Sequence, residues 1–482
     1  MLNDQRGAPL FAALIKHARQ NPAGFHIPGH GQGRGLPPEL AGQAGQALCA
    51  LDLTELPGLD DLHNPAGPIA AAQDLAAKIY GSDRSFFLVN GTTAGIHALI
   101  TALVRQRKVL VTRNAHRSAL GGLVLSGADP VYVLPDIIPD FEIECGVTPA
   151  VIRQALAGDP GAAAVLTVRP NYYGVAADLD GMVQAAHEAG MPVLVDEAHG
   201  AHLRFHRDLP RDAMDAGADA AVQSTHKLGG SLGQSAMLHL RGDLVDSGAV
   251  AAALRLLQTT SPSYLLMASL DLARRRLSRQ GGDLMERALC LARSVRDRLA
   301  GCRDLRILTA ACLPGGNCRL DSTKLVISVR NLGLTGYQVS ELLVARYKVF
   351  VEMADFYNIV AFISTGATAE DCDRLVEALR DIAARNKLHA LPPQPAAPSL
   401  YKKVMKPRDA WFARSRKAPL AGARGKISAE FIAVYPPGIP VLHPGEEITD
   451  EIYEYLLDVS RLGLPCQGPS DPTLKTIKIV IE

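Results

Sequence analysis

The chain has 482 residues, 48% of them hydrophobic, and its formal net charge is +1 because 50 basic residues nearly balance 49 acidic ones. Such a length exceeds one ordinary domain. The balanced charge favours neither nucleic acid nor an anionic membrane as a partner, and no apolar run reaches the roughly 20 residues of a membrane span. The eight cysteines form no C-x-x-C pair. We therefore expect neither a metal site nor a disulfide framework, and a reducing cytoplasm fits.

The first 67 residues predict a helix followed by irregular loops. The segment MLNDQRGAPLFAALIKHARQ carries mixed charge, which is typical of an amphipathic helix and not of a signal peptide. Residues 25–36, FHIPGHGQGRGL, hold too many glycines for regular structure. They form either a surface loop or an ordered segment over an active site. Residues 52–67, DLTELPGLDDLHNPAG, are either a solvated acidic loop or the wall of a cleft for a cationic substrate.

A predicted strand and helix between residues 85 and 105 enclose a candidate anion site. The strand SFFLVN is followed by the turn Gly91-Thr92-Thr93-Ala94-Gly95 and a helix over 96–105. Free N–H groups and hydroxyls at a helix start can bind phosphate, and the helix dipole favours its charge. Thr92 and Thr93 are thus candidate phosphate ligands, and a plain helix N-cap is the alternative.

The elements that follow alternate between strands and helices. Strands are predicted over 108–112, 131–134, 162–168 and 193–195, and a helix over 179–189. This order predicts an α/β fold with a mostly parallel sheet and helices on both faces, with a smaller α+β region after it. Ligands bind past the carboxyl ends of the strands in such sheets. His116 follows one such end, where its imidazole could stack on a flat cofactor.

Residues 192–240 carry the strongest functional signal. The apolar run PVLV ends in Asp196, and a second strand ends in Ser224-Thr225-His226-Lys227, with glycines after it. A lysine amine forms a Schiff base with an aldehyde, and a carboxylate pairs with a protonated pyridine nitrogen. Each residue alone is more often a cap or a surface charge. Together, in this order and spacing, they indicate a site for pyridoxal 5'-phosphate (PLP).

The second half predicts a smaller domain and a C-terminal module. Helices are expected over 243–260, 265–280, 285–299 and 450–462, and strands over 324–329, 349–353 and 428–432. The hydroxyl-rich loop 259–264 either connects two helices or reaches a phosphate. Glu352 and Asp355 are candidate partners for a distal cationic group, or they belong to a solvated edge.

The domain organisation follows from these elements and from a proline-rich linker at 391–398. We expect an N-terminal segment over the active site, a large PLP-binding domain, a small domain and a C-terminal module. Their boundaries are 1–65, 66–285, 286–390 and 391–482.

Several long motifs resemble those of the bacterial ornithine/lysine/arginine decarboxylases, PLP enzymes of the aspartate-aminotransferase-like fold type I. They are DEAHGAHLRF (196–205), STHK (224–227), TTSPSYLLMASLD (259–271) and YPPGIP (435–440). The resemblance runs from HIPGH at His26 to PGE at Glu446 and matches the short members, which lack the N-terminal receiver-like domain. It implies that Lys227 binds the cofactor, Asp196 holds the pyridine nitrogen and His116 stacks on the ring. It implies further that His199 lies near the cofactor and that the phosphate is contacted or positioned by Thr92, Thr93, Ser224 and His226.

The resemblance also implies a reaction and partners. The reaction is decarboxylation of a basic amino acid, with L-arginine to agmatine and CO2 favoured, as a step in polyamine biosynthesis. The enzyme would be a cytoplasmic homodimer or higher homo-oligomer with active sites at the interface, and Glu352 and Asp355 match the region near the substrate's distal cation. This chain has Gly31, Leu228 and Gly233 where the family often has Lys, Thr and Thr. These differences leave lysine or ornithine open as substrates, and oxidative deamination or transamination as reactions; a non-enzymatic protein of the same fold is the remaining alternative.

Overall fold

A computed structural model describes residues 5–481 apart from 387–390, 392 and 396. The chain divides into two compact units that alternate along the sequence. The first unit is Met1–Leu103 with Pro192–Met285, and the second is Val104–Met191 with Glu286–Glu482. These units do not correspond one to one to the four expected domains, whose boundaries stay a prediction.

In the first unit, the carboxyl ends of three strands lie at one edge of the sheet. Their order in space is Arg84–Leu88, Ala236–Leu240, Ala220–Gln223 and Val193–Asp196. The first two pairings are antiparallel, and Val193–Asp196 pairs in parallel with Ala220–Gln223. All four residues of Val193–Asp196 are buried, as expected for an apolar run inside an α/β fold. The carboxyl ends at Leu88, Asp196 and Gln223 therefore meet at the same edge.

Helices flank these strands. They are Pro9–Arg19, Pro38–Ala44, Gln46–Cys49, Pro68–Tyr80, Gly91–Leu103, Thr225–Leu228 and Ser247–Leu257, with a 3-10 turn at Leu203–Phe205 and the start of Tyr264–Leu299. The Pro9–Arg19 helix is fixed by Asp271, whose carboxylate accepts the N–H groups of Leu10 and Phe11 at 3.0 and 3.4 Å. Arg274 pairs with the same carboxylate, and both side chains are fully buried. Leu10 and Leu14 pack into the core of this unit.

The second unit contains a parallel strand group and several smaller antiparallel sheets. Lys108–Thr112 lies between Asp129–Val133 and Val165–Val168, and both pairings are parallel. The antiparallel strands are Asp136–Ile138 with Ile143–Gly146; Val175–Ala176 with Arg319–Leu320; Arg306–Ile307, Lys324–Ser328, Asn358–Phe362 and Met353–Ala354; Ser415–Pro419 with Thr476–Val480; and Pro440–Leu442, Ile432–Val434 and Cys466–Gln467.

The helices of the second unit cover these strands. They are Arg117–Ser126, Pro149–Gly158, Leu179–Glu188, Gly336–Leu342, Ala369–Arg385, Pro407–Phe412 and Asp450–Leu462, with a π-helical turn at Leu343–Tyr347 and 3-10 turns at Ala310–Cys312, Arg330–Leu332 and Leu420–Gly422. Thr368 starts the Ala369–Arg385 helix through a reciprocal capping box with Asp371. Across the described ranges, no helix combines the length and apolar character that crossing a membrane requires.

The predicted fold class is confirmed, with three corrections to its elements. The helices expected over 265–280 and 285–299 are one helix, Tyr264–Leu299. Gly281 lies between the two expected helices, and the ring of Phe205 occupies the space that a Cβ on Gly281 would need. Close packing thus explains that glycine within a continuous helix. The strand expected over 349–353 is only Met353–Ala354, and that expected over 428–432 begins at Ile432.

Candidate active site

Lys227 lies on the short helix Thr225–Leu228, directly after the buried strand Ala220–Gln223. Its Nζ atom is 2.9 Å from Nε2 of His199. His199 is 3% exposed, so the amine meets an imidazole that is held away from bulk water. The pair forms because parallel strands Val193–Asp196 and Ala220–Gln223 end side by side, and each continues into a turn at that edge.

Asp196 is the last residue of its strand and is 5% exposed. Burial raises the pKa of its carboxyl, and the charge of Lys227 acts in the opposite direction. The carboxylate accepts the N–H of Ala198 at 3.1 Å. A buried carboxylate with a raised pKa is stabilised in its ionised form by a cation placed against it. The space beside the Asp196 carboxylate therefore favours a positively charged group.

A pair of hydroxyl groups stands at the same edge. Thr92 Oγ1 is 3.3 Å from Ser224 Oγ, and Thr92 lies in the first turn of the helix Gly91–Leu103. The predicted turn is therefore part of the helix, and its N-terminal N–H groups lie beside the hydroxyls. Thr93, one residue on, is exposed. This combination of hydroxyls and a helix N-terminus suits an anion such as phosphate.

Other hydrogen bonds fix the loops around this edge. His226 is held through its Nδ1 atom, 2.9 Å from the carbonyl oxygen of Ser235. Gln234 donates to the carbonyl of Val89 at 2.7 Å. The N–H of Thr259 donates to Asn90 Oδ1 at 3.0 Å. The hydroxyl-rich loop 259–264 is thus anchored next to the strand that leads to Thr92.

The N-terminal loops have internal roles. Asp60, in the acidic loop, accepts the backbone N–H groups of Gly67 and Ile69 at 2.7 and 2.9 Å, at the start of the helix Pro68–Tyr80. His30 Nε2 lies 3.2 Å from the carboxylate of Asp52. The solvated-loop interpretation therefore does not describe Asp60, whose carboxylate orders the chain.

Three predicted site residues lie in the second unit. His116 caps the helix Arg117–Ser126 by accepting the N–H of Ser118, and its ring centroid is 6.5 Å from that of Tyr172. Asp355 accepts the hydroxyl of Tyr173 at 2.8 Å. Glu352 is exposed. The structure thus places Lys227, His199, Asp196, Thr92 and Ser224 in one unit. The two carboxylates proposed for the substrate differ in their surroundings, since Glu352 is exposed and Asp355 is hydrogen-bonded to Tyr173.

Sequence reasoning missed a buried carboxylate beside the site. Glu197 is fully buried; it accepts the Gln223 side chain at 2.7 Å and the N–H of Ala213 at 2.8 Å. Glu197 directly follows Asp196, so its hydrogen bond to Gln223 connects this part of the chain to the strand that leads to Lys227. The signal was present as a second acidic residue after an apolar run, but its partners lie 16 and 26 residues away.

Comparison with known proteins identifies the family of the chain. Residues 8–371 match the family described as Orn/Lys/Arg decarboxylase, major domain, and residues 394–465 match its C-terminal domain. The chain is 44% identical to an arginine decarboxylase of Bacillus subtilis over 99% of both chains. It is 42% identical to an arginine decarboxylase of Halalkalibacterium halodurans over 100% of this chain and 99% of the relative.

A solved structure shares the fold. The lysine decarboxylase LdcF of Francisella novicida superposes with a TM-score of 0.85 at 21% identity, covering 99% of this chain and 81% of that one. The family matches take in most of the sequence, and the relatives match it from end to end. The chain therefore belongs to the Orn/Lys/Arg decarboxylase family.

Proposed function

We propose that this protein is a PLP-dependent decarboxylase that converts L-arginine to agmatine and CO2. The observation that carries the chemistry is the amine of Lys227 at 2.9 Å from buried His199, on the sheet edge where the buried carboxylate of Asp196 ends its strand. Arginine as the substrate is supported by relatives named arginine decarboxylase, which are 41–44% identical to this chain.

The donor set fits PLP. Lys227 would hold its aldehyde carbon, Asp196 its protonated ring nitrogen, and Thr92 with Ser224 its phosphate. His116, Thr93, His199 and His226 complete the proposed cofactor-binding set. When bound, PLP supplies an electron sink that accepts the electron pair left when CO2 departs from the α-carbon.

The residues of the chain have separate roles in this proposal. Asp196 would hold the protonated ring nitrogen in a buried position. Burial opposes ionisation of the Asp196 carboxyl, so the nearby positive charge and the carboxylate stabilise each other. Lys227 is the group that returns a proton to the α-carbon, and His199 Nε2 is within hydrogen-bonding distance to exchange that proton. Ser224, which is 1% exposed, excludes water from the phosphate end.

Glu352 and Asp355 are proposed to lie near the distal cationic group of the substrate. We also propose a cytoplasmic homodimer or higher homo-oligomer with active sites at the interface, and a product that enters polyamine biosynthesis. Size-exclusion chromatography with light scattering tests the oligomer, since a monomer under assay conditions would contradict it.

The test of function is a substrate panel. Purified protein with PLP is supplied with arginine, lysine or ornithine, and the products are identified by mass, with Lys227→Ala as the control. We expect loss of CO2 from arginine with the highest kcat/KM, and no turnover by the control. A higher kcat/KM for lysine or ornithine would contradict arginine as substrate, and a keto-acid product would contradict decarboxylation.

A further inference from the structure

The second unit contains a cavity of about 370 Å³ whose wall combines carboxylates with aromatic rings. Pro436 and Pro437 of the YPPGIP motif line part of it. The acidic and aromatic lining residues are Glu142, Glu144, Asp355, Tyr173, Tyr337 and Tyr455. The volume is within the range of small-ligand sites, roughly 300–1,000 Å³. The cavity can hold a small organic molecule. The charged groups of its wall indicate which chemical class of molecule it binds.

The three carboxylates of this cavity are not equivalent. Asp355 has both oxygens engaged: Oδ1 accepts the N–H of Asn358 at 2.7 Å, and Oδ2 accepts the Tyr173 hydroxyl at 2.8 Å. Glu142 is exposed and pairs with Arg330 at 3.2 Å. Within the described ranges, the Glu144 carboxylate has no ion pair and no hydrogen bond from another side chain. Glu144 is therefore the carboxylate with capacity for a ligand.

The basic residue in the cavity wall does not neutralise Glu144. Arg113 donates to Glu446 Oε2 at 2.9 Å, and both side chains are nearly fully buried. Its guanidinium also lies 4.2 Å from the centroid of the Tyr401 ring. Burial, and then the charge of Asp355, raise the pKa of Glu144. A cation bound beside Glu144 would oppose both effects.

Asn114 provides a second and independent feature. It lines the same cavity and is 6% exposed, yet its Oδ1 atom receives no hydrogen bond from any described residue. Buried acceptors are nearly always satisfied, so an unsatisfied one on a residue that lines a cavity points to a ligand donor or water. A cation with several N–H groups has donors for both residues, which line the same cavity.

We infer that this cavity binds the guanidinium or alkylammonium group of a small organic cation, with Glu144 as the charge partner and Asn114 as a hydrogen-bond acceptor. Tyr337 and Tyr455, which line the cavity, carry aromatic rings of the kind that attract such cations. The ligand group can come from two sources: the side chain of the amino-acid substrate, or a free amine bound at a separate site. The first source rests on the proposed function, whereas binding itself does not.

The test measures binding of butylguanidine to the full-length protein with PLP by titration calorimetry. This probe has a guanidinium but neither a primary amine nor a carboxylate, so it reports the cation site without turnover. We expect Glu144→Gln to weaken binding about tenfold or more, the size of a lost hydrogen bond between charged groups. The matched control Glu142→Gln, on the same cavity wall, should change Kd by less than about threefold.

A gain-of-affinity variant provides a second test. Asn114→Asp replaces a neutral acceptor with a charged one and should tighten binding about threefold or more, because hydrogen bonds to charged groups are stronger than neutral ones. It decides the question if Glu144→Gln does not fold. Equal effects of the two glutamate variants, no binding to the wild type, or no tightening with Asn114→Asp would each overturn the inference.

Arginine kinetics distinguish the two sources. A rise in KM for arginine in Glu144→Gln that parallels the loss of butylguanidine affinity, together with competitive inhibition by butylguanidine, identifies the substrate side chain. An unchanged KM identifies a separate amine site. If the protein decarboxylates none of the amino acids, the proposed function fails, while the calorimetric result still supports or overturns the cation site.

Discussion

His239 is expected to make the first unit sensitive to acid. It lies on the strand Ala236–Leu240, fully buried, with Nδ1 at 2.7 Å from Ser85 Oγ and Nε2 at 3.3 Å from Gln223 Oε1. Burial, and then the charge of Arg204, lower its pKa to about 3. The folded protein therefore keeps this imidazole neutral at a pH where an exposed histidine would be charged.

Proton linkage gives the direction and size of the change in the free energy of unfolding with pH. Because the unfolded chain binds a proton near pH 6.5 and the folded chain does not, the free energy of unfolding falls as pH decreases below about 6.5. The loss approaches about 1.4 kcal/mol per pH unit, so it reaches about 2.7 kcal/mol at pH 4.5. It continues until the pH nears the folded pKa of about 3.

The assay is urea denaturation followed by circular dichroism between pH 4.5 and 7.5. His239→Gln, which has no titrating group, should lose stability at pH 7.5 but lose about 2.7 kcal/mol less than wild type on acidification to pH 4.5. His187→Gln, at an exposed position on the helix Leu179–Glu188, is the matched control and should follow the wild-type profile. A stability difference between wild type and His239→Gln that does not change with pH would refute the reasoning.

Two further substitutions test the site and the buried charges. Asp196→Asn should retain the fold but lower kcat by about 10²-fold or more, because an amide cannot hold a buried positive charge as a carboxylate does; full steady-state activity would contradict its role. Glu446→Gln leaves Arg113, 3% exposed, without its charge partner and should cost about 3–5 kcal/mol in denaturation. Glu447→Gln, whose partner Lys402 is 61% exposed, should cost less than about 1 kcal/mol. Equal costs would contradict the argument from burial.

The parts of the site that depend on single strands and their ends could be predicted from the sequence. The apolar run before Asp196 and the strand before Ser224 predicted two parallel strands, and adjacent parallel strands must end at one edge. That is why Lys227 and His199, 28 residues apart, meet in the folded chain. A helix start with the hydroxyl of Thr92 near it was also predicted after the strand that precedes Gly91, but the helix was expected from residue 96 and instead begins at Gly91.

The remaining features depend on contacts that no local pattern encodes. The pair of Arg113 and Glu446 joins residues 333 positions apart. Glu144 belongs to no motif in the sequence, and only the fold places it in a cavity wall. Glu352 and Asp355 appeared equivalent in the sequence, yet one is exposed and the other is held by Tyr173 and Asn358.

Lys227 is proposed as the residue that carries the cofactor. The most direct measurement is borohydride reduction of the protein with PLP, followed by proteolysis and mass spectrometry of the modified peptide. We predict that the pyridoxyl mass is found on Lys227 and disappears in Lys227→Ala. Its stoichiometric attachment to another lysine, or no attachment at all, would contradict the account.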